Sequence, residues 1–113
     1  MIDPLIVQLK EPLQEVCHRF RVETLYVFGS GADGRFQRDQ SDLDFLVTLQ
    51  PQPPAEYADN YLELARALEN LFGRRVDLVT ESSIRNPYFR RAVFAARQLL
   101  YDGRNQESVF LGV

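Results

Sequence analysis

The chain has 113 residues, of which 45% are hydrophobic and 12% aromatic, the length of one small domain with enough apolar content for a core of its own. Thirteen Lys+Arg against sixteen Asp+Glu give a formal charge of -3, which excludes the broad basic surface that non-specific nucleic-acid binding needs; no direct nucleic-acid partner is expected. A single cysteine, Cys17, and a single histidine, His18, exclude an internal disulfide, a zinc finger and a histidine-based zinc site, while a hard-metal site built from carboxylates stays open.

In chain order, Met1 to Lys10 lacks the basic start and apolar stretch of a signal peptide, and no apolar run approaches the roughly 18 residues of a membrane span. We expect a cytoplasmic protein with no membrane partner. Asp3 and Pro4 predict a helix start, with Leu5, Leu9, Leu13, Val16 and Phe20 following at helical spacing. Pro12 interrupts that stripe, so the expectation is a kink there or two short helices. Thr24 to Phe28 is β-branched and aromatic and reads as a buried strand ending at Gly29.

After a polar, glycine-containing stretch from Ser30 to Ser41, a second strand is predicted from Asp42 to Leu49, closed by Pro51, Pro53 and Pro54. Tyr57, Tyr61, Leu64, Ala65, Leu68, Leu71 and Phe72 mark the apolar stripe of a helix over 55–72, which Gly73 is placed to end. Val76 to Val79 reads as a third strand. Asn86 and Pro87 cap a helix over about 88–97, and Gln98 to Tyr101 reads as a fourth strand before the Asp102-Gly103 turn. These elements make one domain over 1–103. Residues 104–113, polar and then apolar at Val109 to Leu111, form a tail suited to contact with a partner.

Three features carry chemistry. Gly29-Ser30, with Gly31 and Gly34 behind it, follows a strand directly, where glycines let the backbone approach phosphate oxygens. Taken alone it also fits an ordinary glycine turn. Asp42 and Asp44 flank Leu43 at a strand start, so their side chains share one side; two neighbouring carboxylates repel each other unless a hard cation such as Mg²⁺ sits between them. The bland reading is two acids capping a solvated strand end. Asp77 stands inside the apolar run Val76 to Val79, where acids are depleted, and otherwise reads as an exposed edge-strand residue. If its strand lies beside that of Asp42 and Asp44, all three carboxylates meet at one site.

Together Gly29-Ser30, Asp42-Leu43-Asp44 and Asp77 resemble the signature of the minimal nucleotidyltransferase (MNT) family of the polymerase-β-like superfamily. The contexts Ser41 to Val47 and Phe72 to Val79 are typical of it, and the resemblance runs from about Leu5 to Asp102. It implies an α/β (α+β) nucleotidyltransferase fold, a small mixed β-sheet of three to four strands flanked by helices. It also implies that Gly29 and Ser30 hold the β- and γ-phosphates of ATP, and that Asp42 and Asp44 bind two Mg²⁺ ions. Asp77 would complete the second metal site and serve as base toward an acceptor hydroxyl, with pyrophosphate leaving from the attacked α-phosphate. Two departures stand out. Gly31 and Asp33 occupy the place where many members carry arginines, with basic residues displaced to Arg35 and Arg38, and the Ser30 to Asp42 spacing is one residue longer than usual.

Stand-alone MNT proteins resembling this one are the antitoxin halves of type VII-like HEPN/MNT toxin–antitoxin pairs. There the MNT protein transfers AMP from ATP to a tyrosine of the HEPN partner, and that is the first reading of this chain. The alternatives are a binding module that neutralises its partner by contact alone, and a small-molecule nucleotidyltransferase completed by a partner subunit. Cys17 and His18 read as core or boundary residues, and Tyr57 and Tyr61 as the packing face of a helix. Arg85, Arg90, Arg91 and Arg97 read as a solvated helix face rather than a basic surface for ATP or an acidic partner.

Overall fold

Asp3 starts the first helix as its residue type predicts, accepting a hydrogen bond from the Leu5 amide at 2.8 Å with Pro4 at the first helical position. The computed structural model describes residues 2–29 and 42–104. Helix α1 covers Pro4–Gln8 and α2 covers Lys10–Arg19. The break falls at Leu9 and not at Pro12. Pro12 sits in the first turn of α2, where its missing N–H would have had no intrahelical partner, so it is accommodated without a kink.

Four strands follow: β1 Val22–Phe28, β2 Leu43–Leu49, β3 Val76–Thr80 and β4 Gln98–Asp102. Helix α3, Pro54–Phe72, connects β2 to β3, and a short 3-10 turn, Glu81–Ser83, leads to α4, Pro87–Ala96. The predicted elements are therefore all present, with ends shifted by one or two residues; Asp42 precedes β2 instead of opening it. Gly73 ends α3 in the left-handed conformation, φ +64°, as the glycine suggested. Asn86 caps α4 by accepting from the Tyr88 and Phe89 amides.

The sheet order is β3-β2-β1-β4, with β1 antiparallel to β2 and β4, and β3 parallel to β2. The parallel pair needs a crossover, and α3 supplies it. The expected mixed α/β architecture is the observed one, at the upper end of the expected strand count.

Alternation along the strands divides the sheet into two faces. Leu25, Val27, Leu43, Phe45 and Val47 pack against Ile6, Leu13, Cys17, Leu64 and Leu68 from α1, α2 and α3. Phe45 stacks on Phe72 with ring centroids 5.8 Å apart. Each such fully buried aliphatic side chain stabilises the fold by about 1.5–3 kcal/mol, so this face is the main core. On the other face a smaller cluster, Phe28, Leu46, Ile84 and Val93, lies under α4. Cys17 is in the main core, where burial pushes its thiol well up, and His18 is exposed, as a boundary pair should be. Tyr57 and Tyr61 pack on the main core as predicted.

Candidate active site

Backbone pairing brings the predicted site residues together. β1 and β2 place Phe28 opposite Asp44, and β2 and β3 place Asp44 beside Asp77 in register. Gly29, Asp44 and Asp77 therefore occupy neighbouring positions at one end of the sheet, with Asp42 two residues before Asp44. Leu46 and Val79, which share the alternation phase of Asp44 and Asp77, belong to the cluster under α4. Both carboxylates thus rise from the α4 face of the sheet. Asp77 is exposed on an edge strand, as one of its sequence readings has it, and its strand lies beside that of Asp44, the condition on which the other reading depends.

Gly29 is required twice over. Its φ is +67°, a conformation that side chains other than glycine's disfavour. A Cβ added there would also lie 2.6 Å from Asp44 Oδ2, inside any permissible contact. The glycine turn is therefore fitted to the carboxylate itself. Ser30, the other predicted phosphate-binding residue, lies outside the described residues, as do Gly31, Asp33, Gly34, Arg35, Arg38 and the tail positions Val109 to Leu111.

Electrostatics single out Asp44. Its half-buried carboxyl is pushed up to about 6, by burial first and then by the negative charges of Asp77 and Asp42. Among the described residues no lysine or arginine is paired with any of the three. Such mutual repulsion without a counter-charge is what a hard divalent cation relieves, so the donor chemistry fits Mg²⁺. As the side chains stand, no three Asp, Glu, His or Cys groups among the described residues are gathered closely enough to hold an ion. A cation would have to draw these carboxylates together.

Beside the carboxylates lies a cavity of about 300 Å³ lined by Phe28, Gly29, Asp44, Phe89, Ala92, Val93 and Ala96. Its aromatic wall is an edge-to-face pair, Phe28 and Phe89, with centroids 6.2 Å apart. These two residues escape sequence reasoning, because a strand Phe and a helix Phe both read as packing; the one signal is that Phe28 adjoins Gly29. Tyr61 is another such residue. Its phenol donates a hydrogen bond to the Leu78 carbonyl, tying α3 to β3 next to Asp77, and burial followed by the Asp77 charge raises its pKa.

Comparison with known proteins decides the family. The nucleotidyltransferase domain profile matches residues 9–100. The chain belongs to this family, and it is a nucleotidyltransferase. It is 38% identical over 85 residues to the protein adenylyltransferase MntA of Thermococcus cleftensis, covering 75% of this chain and 79% of that protein. It is 36% identical over 75 residues to a Methanocaldococcus jannaschii protein described, by inference, as a protein adenylyltransferase, covering 66% and 73%. Among solved structures it is similar to one described, again by inference, as a minimal nucleotidyltransferase, with TM-score 0.61 and 32% identity over 86% of this chain and 94% of that one. A toxin–antitoxin structure with AMP-PNP shares the fold at TM-score 0.64 and 22% identity, covering 82% and 73%. These relatives place the nucleotidyltransferase within the minimal, MntA-like branch.

Proposed function

We propose that this nucleotidyltransferase moves AMP from ATP to a hydroxyl, most simply a tyrosine phenol, of a HEPN-family partner, and so acts as the antitoxin of a toxin–antitoxin pair. The observation that carries the reading is the alignment of Gly29, Asp44 and Asp77 across three adjacent strands, with Gly29 moulded to Asp44. Kinship to an MntA adenylyltransferase supports AMP as the group transferred. The toxin–antitoxin structures of the same fold support a protein partner.

In this reading Gly29 and Ser30 receive the β- and γ-phosphates on backbone N–H groups. Asp42, Asp44 and Asp77 would hold Mg²⁺, which when bound supplies charge neutralisation for the triphosphate. Asp77 accepts the proton of the acceptor hydroxyl on a carboxylate oxygen, and that hydroxyl oxygen forms the new bond to the α-phosphorus as the bond to pyrophosphate breaks. Its exposed position leaves room for the acceptor to approach. Incubation with ATP, Mg²⁺ and the HEPN-type partner should add the mass of AMP to the partner. No mass change, with the partner still silenced, would overturn transfer.

Gly31 and Asp33, which stand where many members of the family carry arginines, motivate one second reading, a module that neutralises its partner by contact alone. Asp42→Ala with Asp44→Ala separates the two, because a pure binder keeps its neutralising effect without them.

A further inference from the structure

Helix α4 has two flanks and an outer face. Phe89, Ala92, Val93 and Ala96 lie toward the cavity beside Asp44, while Arg90, Phe94 and Arg97 lie toward Glu81 and Tyr26. The helical repeat leaves Tyr88, Arg91, Ala92 and Ala95 along the outside, and all four are exposed. Ala92 belongs both to this face and to the cavity wall, so a molecule covering Tyr88 and Arg91 reaches the margin of the candidate active site.

The charge of this face runs against that of the chain. Between Ile84 and Tyr101 there are four arginines and no acidic residue, in a protein whose formal charge is -3. The four divide in the fold. Arg90 is engaged by Glu81 at 2.7 Å and lies over Phe94, and Arg97 lies over Tyr26 and Phe94. Arg85, just before the helix, and Arg91 stay exposed, and among the described residues neither has an ion pair, a hydrogen bond or a ring contact. Once the one ion pair cancels, two unpaired positive charges remain on either side of Tyr88, which is 77% exposed.

These residue types narrow the occupant. Tyrosine and arginine are the side chains that most often anchor protein–protein contacts, because each covers a large area and carries a directed donor. An arginine that gives up water at such a contact needs a carboxylate opposite it. A nucleic acid fits poorly, since two cations make no broad basic surface and Asp42, Asp44 and Asp77 stand beside the adjoining cavity. We infer that the outer face of α4 is where the acceptor protein docks, with Tyr88 buried at the contact and Arg85 and Arg91 paired to carboxylates of an acidic patch beside the hydroxyl to be modified. The inference rests on the reading that the acceptor is a protein.

The test is calorimetric titration of the intact chain with the HEPN-type partner, alongside AMP transfer from ATP and Mg²⁺ at varied partner concentration. Arg91→Glu should weaken binding at least about tenfold and flatten its dependence on salt, and adding Arg85→Glu should weaken it further. In the transfer assay Arg91→Glu should raise KM for the partner and leave kcat within about twofold of the parent, because the charge it removes is used in docking alone. Arg91→Lys should restore most of the affinity, and Tyr88→Ala should weaken binding at least about fivefold without changing its salt dependence. Arg66→Glu makes the same charge change on the exposed side of α3 and should leave binding unaltered. If the parent binds and transfers no AMP, the transfer reading falls while weakened binding by Arg91→Glu still upholds the face. If Arg91→Glu and Tyr88→Ala bind like the parent while AMP transfer proceeds, the face is overturned and the transfer reading stands. Equal weakening by Arg66→Glu, self-association of the chain that Arg91→Glu abolishes, or no binding by the parent would each overturn it too.

Discussion

Asp44 titrates as it does because of two neighbours and its own burial, and removing one neighbour should move it in a known direction. Asp77→Asn deletes the nearer-paired charge, so the Asp44 midpoint should fall from about 6 toward the ordinary 3.8 without reaching it, since burial is the larger cause. Carboxyl-carbon NMR titration of the metal-free protein measures this; an unmoved midpoint would show that the two side chains do not interact. The sign of the stability effect follows from the same shift. A carboxyl whose folded midpoint lies above its unfolded one holds its proton more tightly in the folded state, so its favourable contribution is complete below pH about 4 and is lost as pH rises through about 6. Asp44→Asn should therefore raise the melting temperature of the metal-free protein at pH 8 relative to the parent, and much less at pH 4. Gly29→Ala acts on the same carboxylate from the other side: left-handed backbone costs a non-glycine residue about 1–2 kcal/mol, and the new Cβ would press on Asp44 Oδ2. It should lower the melting temperature and, under the proposed function, abolish AMP transfer, both read on the same preparation.

At the scale of elements, β3 matters most, because it is an edge strand that carries Asp77 and is held from the α3 side by the Tyr61 phenol. Tyr61→Phe keeps the ring in the core and removes only that bond, so it should cost about 0.5–1.5 kcal/mol and speed amide exchange in Val76 to Thr80 more than in β1; uniform change across the sheet would deny it a local anchoring role. Much of this architecture is written locally in the sequence. Asp3-Pro4, Gly73 and Asn86-Pro87 act within a few residues of themselves, so each marks its helix end correctly. Pro12 misleads because a proline in a first turn and one in a helix interior look alike until the helix start is known. Strand order is different in kind: that β3 pairs parallel with β2, and hence that Asp77 joins Asp44, depends on contacts more than thirty residues apart along the chain, which no local pattern encodes. The composite motif supplied that juxtaposition only through family resemblance. Phe28 and Phe89 stayed hidden since aromatic residues are equally at home in ordinary packing, and Tyr61 reads from the sequence only as part of a packing face.

For the molecule as a whole, the asymmetry of the two sheet faces decides how the site can be used. Among the described residues, three helices close one face over the main core, whereas α4 is the one helix on the other, with Asp44 and Asp77 at its margin; α4 leaves Tyr88 77% and Phe89 46% exposed, and Phe89 lines the cavity beside Asp44. Large exposed aromatics next to a half-open site mark a surface that a second molecule covers. Under the proposed function the cavity beside Asp44 would take the donor nucleotide, and among the described residues no side chain of another element lines it on the Asp77 side to hold an acceptor hydroxyl. Positioning of two reactants supplies much of the rate in a transfer of this kind, so the chain by itself should be slow. With ATP and Mg²⁺ alone, pyrophosphate release should be at least about tenfold slower than with the HEPN-type partner present. Asp42→Ala with Asp44→Ala should abolish the accelerated release while partner binding, followed by size-exclusion chromatography, persists. Equal rates with and without the partner would place acceptor recognition within this chain and remove the case for a partner that completes the site.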